Sequence, residues 1–136
     1  MRARAPLLGA VLGIGLTSTM LMAANPPASR PLSFQRDVLP ILQTNCAVCH
    51  QNLGPMGGLT LEPDEAYENL VDMPSMEIEM QRVEPGDPER SYLIRKVEGT
   101  HAGVGGKGLT MPIGGVLAPA DVQTLRRWVS EGAKNN

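Results

Sequence analysis

The sequence predicts an all-α fold of a few short helices joined by long loops, and three observations predict it. Apolar residues recur at helical spacing in two stretches, Phe34, Val38, Ile41 and Leu42 towards the front and Val122, Leu125 and Val129 towards the end. Little reads as strand beyond the extended Leu59-Thr60-Leu61. Between positions 99 and 115 stand seven glycines, Gly99, Gly103, Gly105, Gly106, Gly108, Gly114 and Gly115, too many for a helix and suited to a long wrapping loop.

Residues 1–24 begin with Arg2 and Arg4, run through an apolar stretch from Leu7 to Ala24 and end before Asn25-Pro26-Pro27, the pattern of a secretory signal. Cleavage after Ala24 would place the bulky Met22 where a small residue is preferred, so an uncleaved membrane anchor stays open as the alternative. A span needs about 20 apolar residues, and Gly13, Gly15, Thr17, Ser18 and Thr19 dilute this one. Residues 25–32 are a Pro-rich linker, and the domain proper is expected over 33–133.

Ser33 can cap the first helix, with a kink or break near Leu39 because Pro40 removes a hydrogen bond. After a loop holding Gly54, Pro55, Gly57 and Gly58, a short acidic helix is expected over 64–71. Residues 72–81 are Met-rich and carry no clear pattern. Pro85-Gly86-Asp87-Pro88 is a turn signal, and 89–97 reads as a helix with Leu93, Ile94 and Val97 apolar. Pro119 opens the last helix, whose stripe is flanked by Trp128, and Gly132 closes it.

Of 136 residues, 12 are basic and 14 acidic. Removing Arg2 and Arg4 leaves 10 basic residues against 14 acidic ones, a net charge of −4, which lacks the basic excess of a nucleic-acid binder. Only four aromatics, Phe34, Tyr67, Tyr92 and Trp128, serve the whole chain. That is a thin core for such a length, and a large, flat, apolar cofactor would add buried surface worth roughly 25 cal/mol per Å².

Cys46-Ala47-Val48-Cys49-His50 is a CxxCH sequence, the attachment signature of a c-type haem. Two thiols two residues apart can add to the two vinyl groups of one porphyrin, and the next residue then lies under the iron, where neutral His50 becomes the proximal ligand. CxxCH occurs once, so one covalently bound haem c is expected. Three alternatives remain for the cysteines: a redox dithiol, a structural disulfide, or a zinc site drawn from Cys46, Cys49, His50 and His101. The dithiol usually follows a strand, whereas a helical stretch precedes Cys46.

A sixth iron ligand would make the haem an electron carrier. The candidates are Met56, Met73, Met76, Met80, His101 and Met111. Met111 fits best, since it sits in the Gly-rich loop, precedes Pro112 and lies 61 residues beyond His50. The competing reading is that Met111 fills a packing gap. His101 in its glycine-rich surroundings reads as a solvated loop residue.

Together these residues resemble class I cytochromes c, in particular small domains that open with Phe-x-x-Asp-Val-x-Pro-Ile-x-x-x-x-Cys-x-x-Cys-His. Here Phe34, Asp37, Val38, Pro40 and Ile41 lead into the motif. The likeness continues in Gly58-Leu59-Thr60-Leu61, Pro85-Gly86-Asp87-Pro88 with Ser91 and Leu93, Met111-Pro112, Leu117, Trp128 and Gly132-Ala133. It implies a cytochrome c fold wrapped around one haem, with the first and last helices crossing beside it and Met111 as distal ligand. It also implies that the Pro55 carbonyl holds His50 in orientation. The departures are the richness of the distal loop in glycine and the Met73 to Met80 cluster, which has no counterpart role.

The expected function is single-electron transfer between a redox protein donor and acceptor by an exported, periplasmic, non-enzymatic protein. Two alternatives are a haem enzyme or gas sensor with an open iron position, and an electron-delivering subunit of a larger oxidoreductase, held by an N-terminal membrane tether.

Overall fold

Ser33 starts the first helix by a reciprocal arrangement of side chains. Its hydroxyl accepts the Arg36 N–H at 3.4 Å, while the Asp37 carboxylate reaches back to the Ser33 N–H at 2.8 Å, satisfying two donors that a helix start otherwise leaves open. The computed structural model describes residues 30–136, so the expected export segment and residues 25–29 of the linker lie outside the described residues. Among those described, no helix is long and apolar enough to cross a membrane.

The kink expected near Leu39 is a change of helix type. Phe34–Val38 form a π-helical turn in which Leu39 donates to the Phe34 carbonyl, and α1, Leu39–Asn45, follows directly. Pro40 has no N–H for the Arg36 carbonyl and its ring would crowd that oxygen, so the chain takes the wider turn just before it.

Helix α2, Ala66–Leu70, is shorter than the expected 64–71, because the residues before it form a turn on the Glu62 carbonyl. Residues 72–81 fold back on themselves: Ser75 donates to Met80 at 2.8 Å, Arg82 donates to Met73 at 2.7 Å, and isolated bridges join Val71 to Val83 and Pro74 to Gln81. The helix expected over 89–97 is in two parts, a 3₁₀ turn at Pro88–Arg90 and α3 at Tyr92–Glu98. Buried Ser91 causes the break. Its hydroxyl accepts from the Glu84 N–H at 2.9 Å and donates to the Asp87 carbonyl at 2.8 Å, which holds the backbone extended there. The Gly-rich stretch is a loop as expected, with one 3₁₀ turn at His101–Val104. Helix α4, Pro119–Ser130, begins on Pro119 and ends before Gly132. The regular structure among the described residues is thus helical, with no strand beyond isolated bridges.

The first and last helical segments pack together, and α4 also packs on α3. Phe34 is the centre of this contact: its ring meets Trp128 at 5.4 Å and the edge of Tyr67 at 5.2 Å. Three of the four aromatics therefore share one site. Both polar tips are satisfied close by, the Trp128 indole on the Lys134 carbonyl at 3.1 Å and the Tyr67 hydroxyl on the Ala133 carbonyl at 2.9 Å. Around them lie Val38, Leu42, Leu125 and Val129, all buried. The C-terminal residues close the same end, with Asn136 taking the Phe34 N–H on its side chain at 3.2 Å and the Ser33 hydroxyl on its backbone carbonyl.

Two outcomes follow. Phe34→Ala removes a fully buried ring from the aromatic site and should cost about 3–5 kcal/mol in urea unfolding. The bidentate Arg30 guanidinium, at 2.7 and 2.8 Å, and then the Ser33 N–H hold the Asp37 carboxyl far below its ordinary range. Its stabilising effect is therefore complete above the unfolded value of about 3.9 and is lost as the pH falls below it. Melting curves should show the gap between Asp37→Asn and the parent protein at its full size at pH 7 and narrowing steadily below about pH 4; an equal gap at pH 7 and pH 2 would contradict this.

Candidate haem site

The motif folds as one more turn on the end of α1. The Cys46 N–H bonds the Leu42 carbonyl at 2.9 Å, and the Cys46 carbonyl accepts both the Cys49 and His50 N–H groups at 3.1 Å. Side chains three and four positions apart on such a turn share a face. The positions of Cys46, Cys49 and His50 therefore fall on one side of the turn. That placement is what two bonds to a porphyrin edge and one to its iron require.

The ring of His50 is oriented by the backbone. Nδ1 lies 2.9 Å from the Met56 carbonyl oxygen. A carbonyl only accepts, so Nδ1 carries the hydrogen and Nε2 keeps its lone pair for a metal. The expectation that the Pro55 carbonyl does this is corrected: Pro55 instead accepts from Gly58 at 3.1 Å, closing the 3₁₀ turn Met56–Gly58 that presents the next carbonyl to the ring.

That turn is held from outside by Arg82, which sequence reading passed over. Its buried guanidinium donates to the Gly58 carbonyl at 2.9 Å, the Gly57 carbonyl at 3.4 Å and the Asn69 carbonyl at 2.8 Å, and burial lowers its pKa. Gly58 has φ +63°, and a Cβ there would run into the Met76 sulfur. Met76 thus packs on the loop that orients His50 Nδ1. On the other flank, His50 accepts the Leu61 N–H at 2.8 Å, which anchors the extended Leu59-Thr60-Leu61.

The thiols are unbonded, Cys46 half-buried and Cys49 exposed. Burial, and then the neighbouring Cys49, push the Cys46 thiol up to about 11. A redox dithiol depends on a depressed thiol pKa, so Cys46 is poorly suited to that chemistry. The zinc set is not assembled either: among the described residues no three of His, Cys, Asp and Glu are grouped to hold a metal ion.

His101 is buried, not solvated as its glycine neighbours suggested. Its Nε2 lies 3.1 Å from the Gly108 carbonyl, while Nδ1 has no partner. The ring is the post around which the loop closes, since Gly106 also donates to the His101 carbonyl at 2.9 Å.

Met111 is half-buried on this loop, and its N–H bonds the Lys96 carbonyl in the last turn of α3 at 3.0 Å. The candidate distal ligand is therefore tied by its backbone to a core helix, separately from the turn that carries the other three residues. Large exposed apolar side chains gather on the same two stretches, Val48, Leu53 and Met56 around the motif and Leu109, Ile113 and Val116 around Met111. A haem needs a shared thiol face, an oriented imidazole with Nε2 available, and apolar side chains to cover it. These residues fit that group.

Comparison with protein-family models, with curated proteins and with solved structures finds no match to this chain.

Lysine cannot span three carbonyls as the Arg82 fork does. Arg82→Lys should lose about 1–3 kcal/mol in urea unfolding and speed amide exchange at Gly58; unchanged exchange would mean that the turn holds itself.

Proposed function

We propose that this chain is an exported monohaem c-type cytochrome that passes single electrons between redox proteins. The observation that supports the reading is the backbone turn at 46–50, which sets the two cysteine positions four and one residues before a histidine whose Nδ1 is spent on the Met56 carbonyl at 2.9 Å, so three residues that are close in sequence share one turn. A thiol adds across each vinyl group, its sulfur bonding one carbon and its hydrogen going to the other, so attachment consumes no oxidant. Bound there, a haem supplies an iron that takes up and releases one electron.

The protein's residues account for the rest. His50 binds through Nε2 and is held in orientation by Met56, a bond that strengthens its donor character. Met111 supplies a thioether, a soft ligand that favours the ferrous state and raises the reduction potential. Occupied on both faces, such a site binds no substrate, which suits a carrier better than a haem enzyme. His101, the one other histidine, has its Nε2 on Gly108 and is poorly placed to serve as a distal acid or base. The mildly acidic balance of the mature chain would allow weak, brief docking on redox partners.

Expression of the full chain with a c-type maturation system should yield haem that survives denaturing electrophoresis, and replacing both cysteines by serine should abolish it. A parent protein without covalent haem overturns the proposal. In the loaded protein, Met111→Ala should open the ferrous iron to carbon monoxide at least tenfold faster than in the parent; rapid binding by the parent itself would favour a sensor or enzyme.

A further inference from the structure

The Met-rich segment 72–81 has no role in the resemblance, yet one of its side chains reaches the loop of the distal ligand. Glu77 spreads its carboxylate over two other parts of the chain. One oxygen, Oε2, accepts the hydroxyl of buried Tyr92 on α3. The other, Oε1, accepts the backbone N–H of Lys107 in the Gly-rich loop at 3.0 Å. Lys96 closes the figure: its Nζ lies 3.7 Å from Oε2 and donates to the Lys107 carbonyl at 2.9 Å. The Tyr92 hydroxyl, foremost, holds Glu77 below the usual carboxylate range, so it acts as a charged acceptor.

The loop is built to make this approach. At Gly106 a Cβ would collide with the Tyr92 hydroxyl and come within 2.9 Å of the His101 carbonyl. Met111 follows Lys107 by four positions and is bonded to the backbone of Lys96, the residue whose side chain faces Glu77. A single carboxylate thus joins segment 72–81, α3 and the ligand loop.

We propose that Glu77 is a positioning residue for Met111, holding Lys107 and Tyr92 so that the loop keeps the thioether at the sixth position of the iron. This rests on the proposed function, because it takes Met111 as the ligand. In this role Glu77 acts through Lys107 and Tyr92, not on the haem or the iron. Its effect is on how long the thioether stays bound, since the glycines around Met111 give the loop little stiffness of its own.

The test uses the haem-loaded full chain as parent, Glu77→Ala, Glu77→Gln and Met111→Ala. Three quantities are read: the ferrous carbon monoxide binding rate, the long-wavelength sulfur-to-iron band of the ferric form, and the urea midpoint. Glu77→Ala should bind carbon monoxide about tenfold faster than the parent, the scale of one lost hydrogen bond to a charged acceptor, and should weaken the sulfur band. Glu77→Gln keeps an acceptor without the charge and should fall between. If both variants stay within about twofold of the parent rate with an intact band, the proposal is overturned, whatever happens to the urea midpoint. If Met111→Ala itself changes neither rate nor band, the ligand assignment fails and takes this inference with it. Should Glu77→Ala fail to retain haem, Glu77→Gln and Tyr92→Phe decide by the same twofold criterion.

Discussion

One backbone oxygen carries the geometry on which the candidate site depends. The Cys46 carbonyl accepts two N–H groups, from Cys49 and His50, and this bifurcated turn converts a spacing along the chain into a common face. Everything before it serves to aim it: the Ser33 cap, the π turn over Phe34–Val38 and α1 deliver Cys46 from the aromatic core. Everything after it serves to orient what it presents, through the Met56 carbonyl on the imidazole and the Arg82 guanidinium behind that carbonyl. Covalent attachment would then lock a turn that is already formed, so little ordering entropy remains to be lost there.

The two ends of the domain obey different physics. At one end Phe34, Tyr67 and Trp128 meet under the C-terminal residues, a dry contact whose polar tips are all bonded. At the other, the chain is mostly loop, and polar side chains that reach across it do the holding: Arg82 to the 3₁₀ turn, Glu77 to the Gly-rich loop. Such contacts are directional and each is modest in net worth, but they place backbone atoms that no apolar side chain could place.

Much of this was legible in the sequence, and the reasons for the rest are particular. Helical spacing revealed the first helical segment, the π turn with α1, and also α4, because Phe34, Val38, Ile41 and Leu42 and then Val122, Leu125 and Val129 repeat at the period that buries one face. The motif residues announced themselves by type and spacing. What escaped was settled by partners distant along the chain: Glu77 meets Lys107 thirty positions away, and Arg82 meets Gly58 twenty-four positions away. The histidine's carbonyl partner was missed by one residue, Met56 for Pro55, because every residue has a carbonyl and only the turn decides which one faces the ring. Ser91 broke a helix whose apolar pattern was correct, its hydroxyl outbidding the helical backbone. His101 gave the least warning, since polar residues among glycines are usually wet and this one is walled in by its own loop.

The π turn makes the amino-terminal segment intolerant of changes in length. It stores one residue more per turn than an α-helix would between Ser33 and Leu39, and a helix advances about 100° per residue. Deleting a single residue there would let the segment wind as a regular α-helix, and with the motif held in place Phe34 would swing by about that angle away from Trp128. Homologous chains with a shorter lead-in would have to supply their ring from a different position.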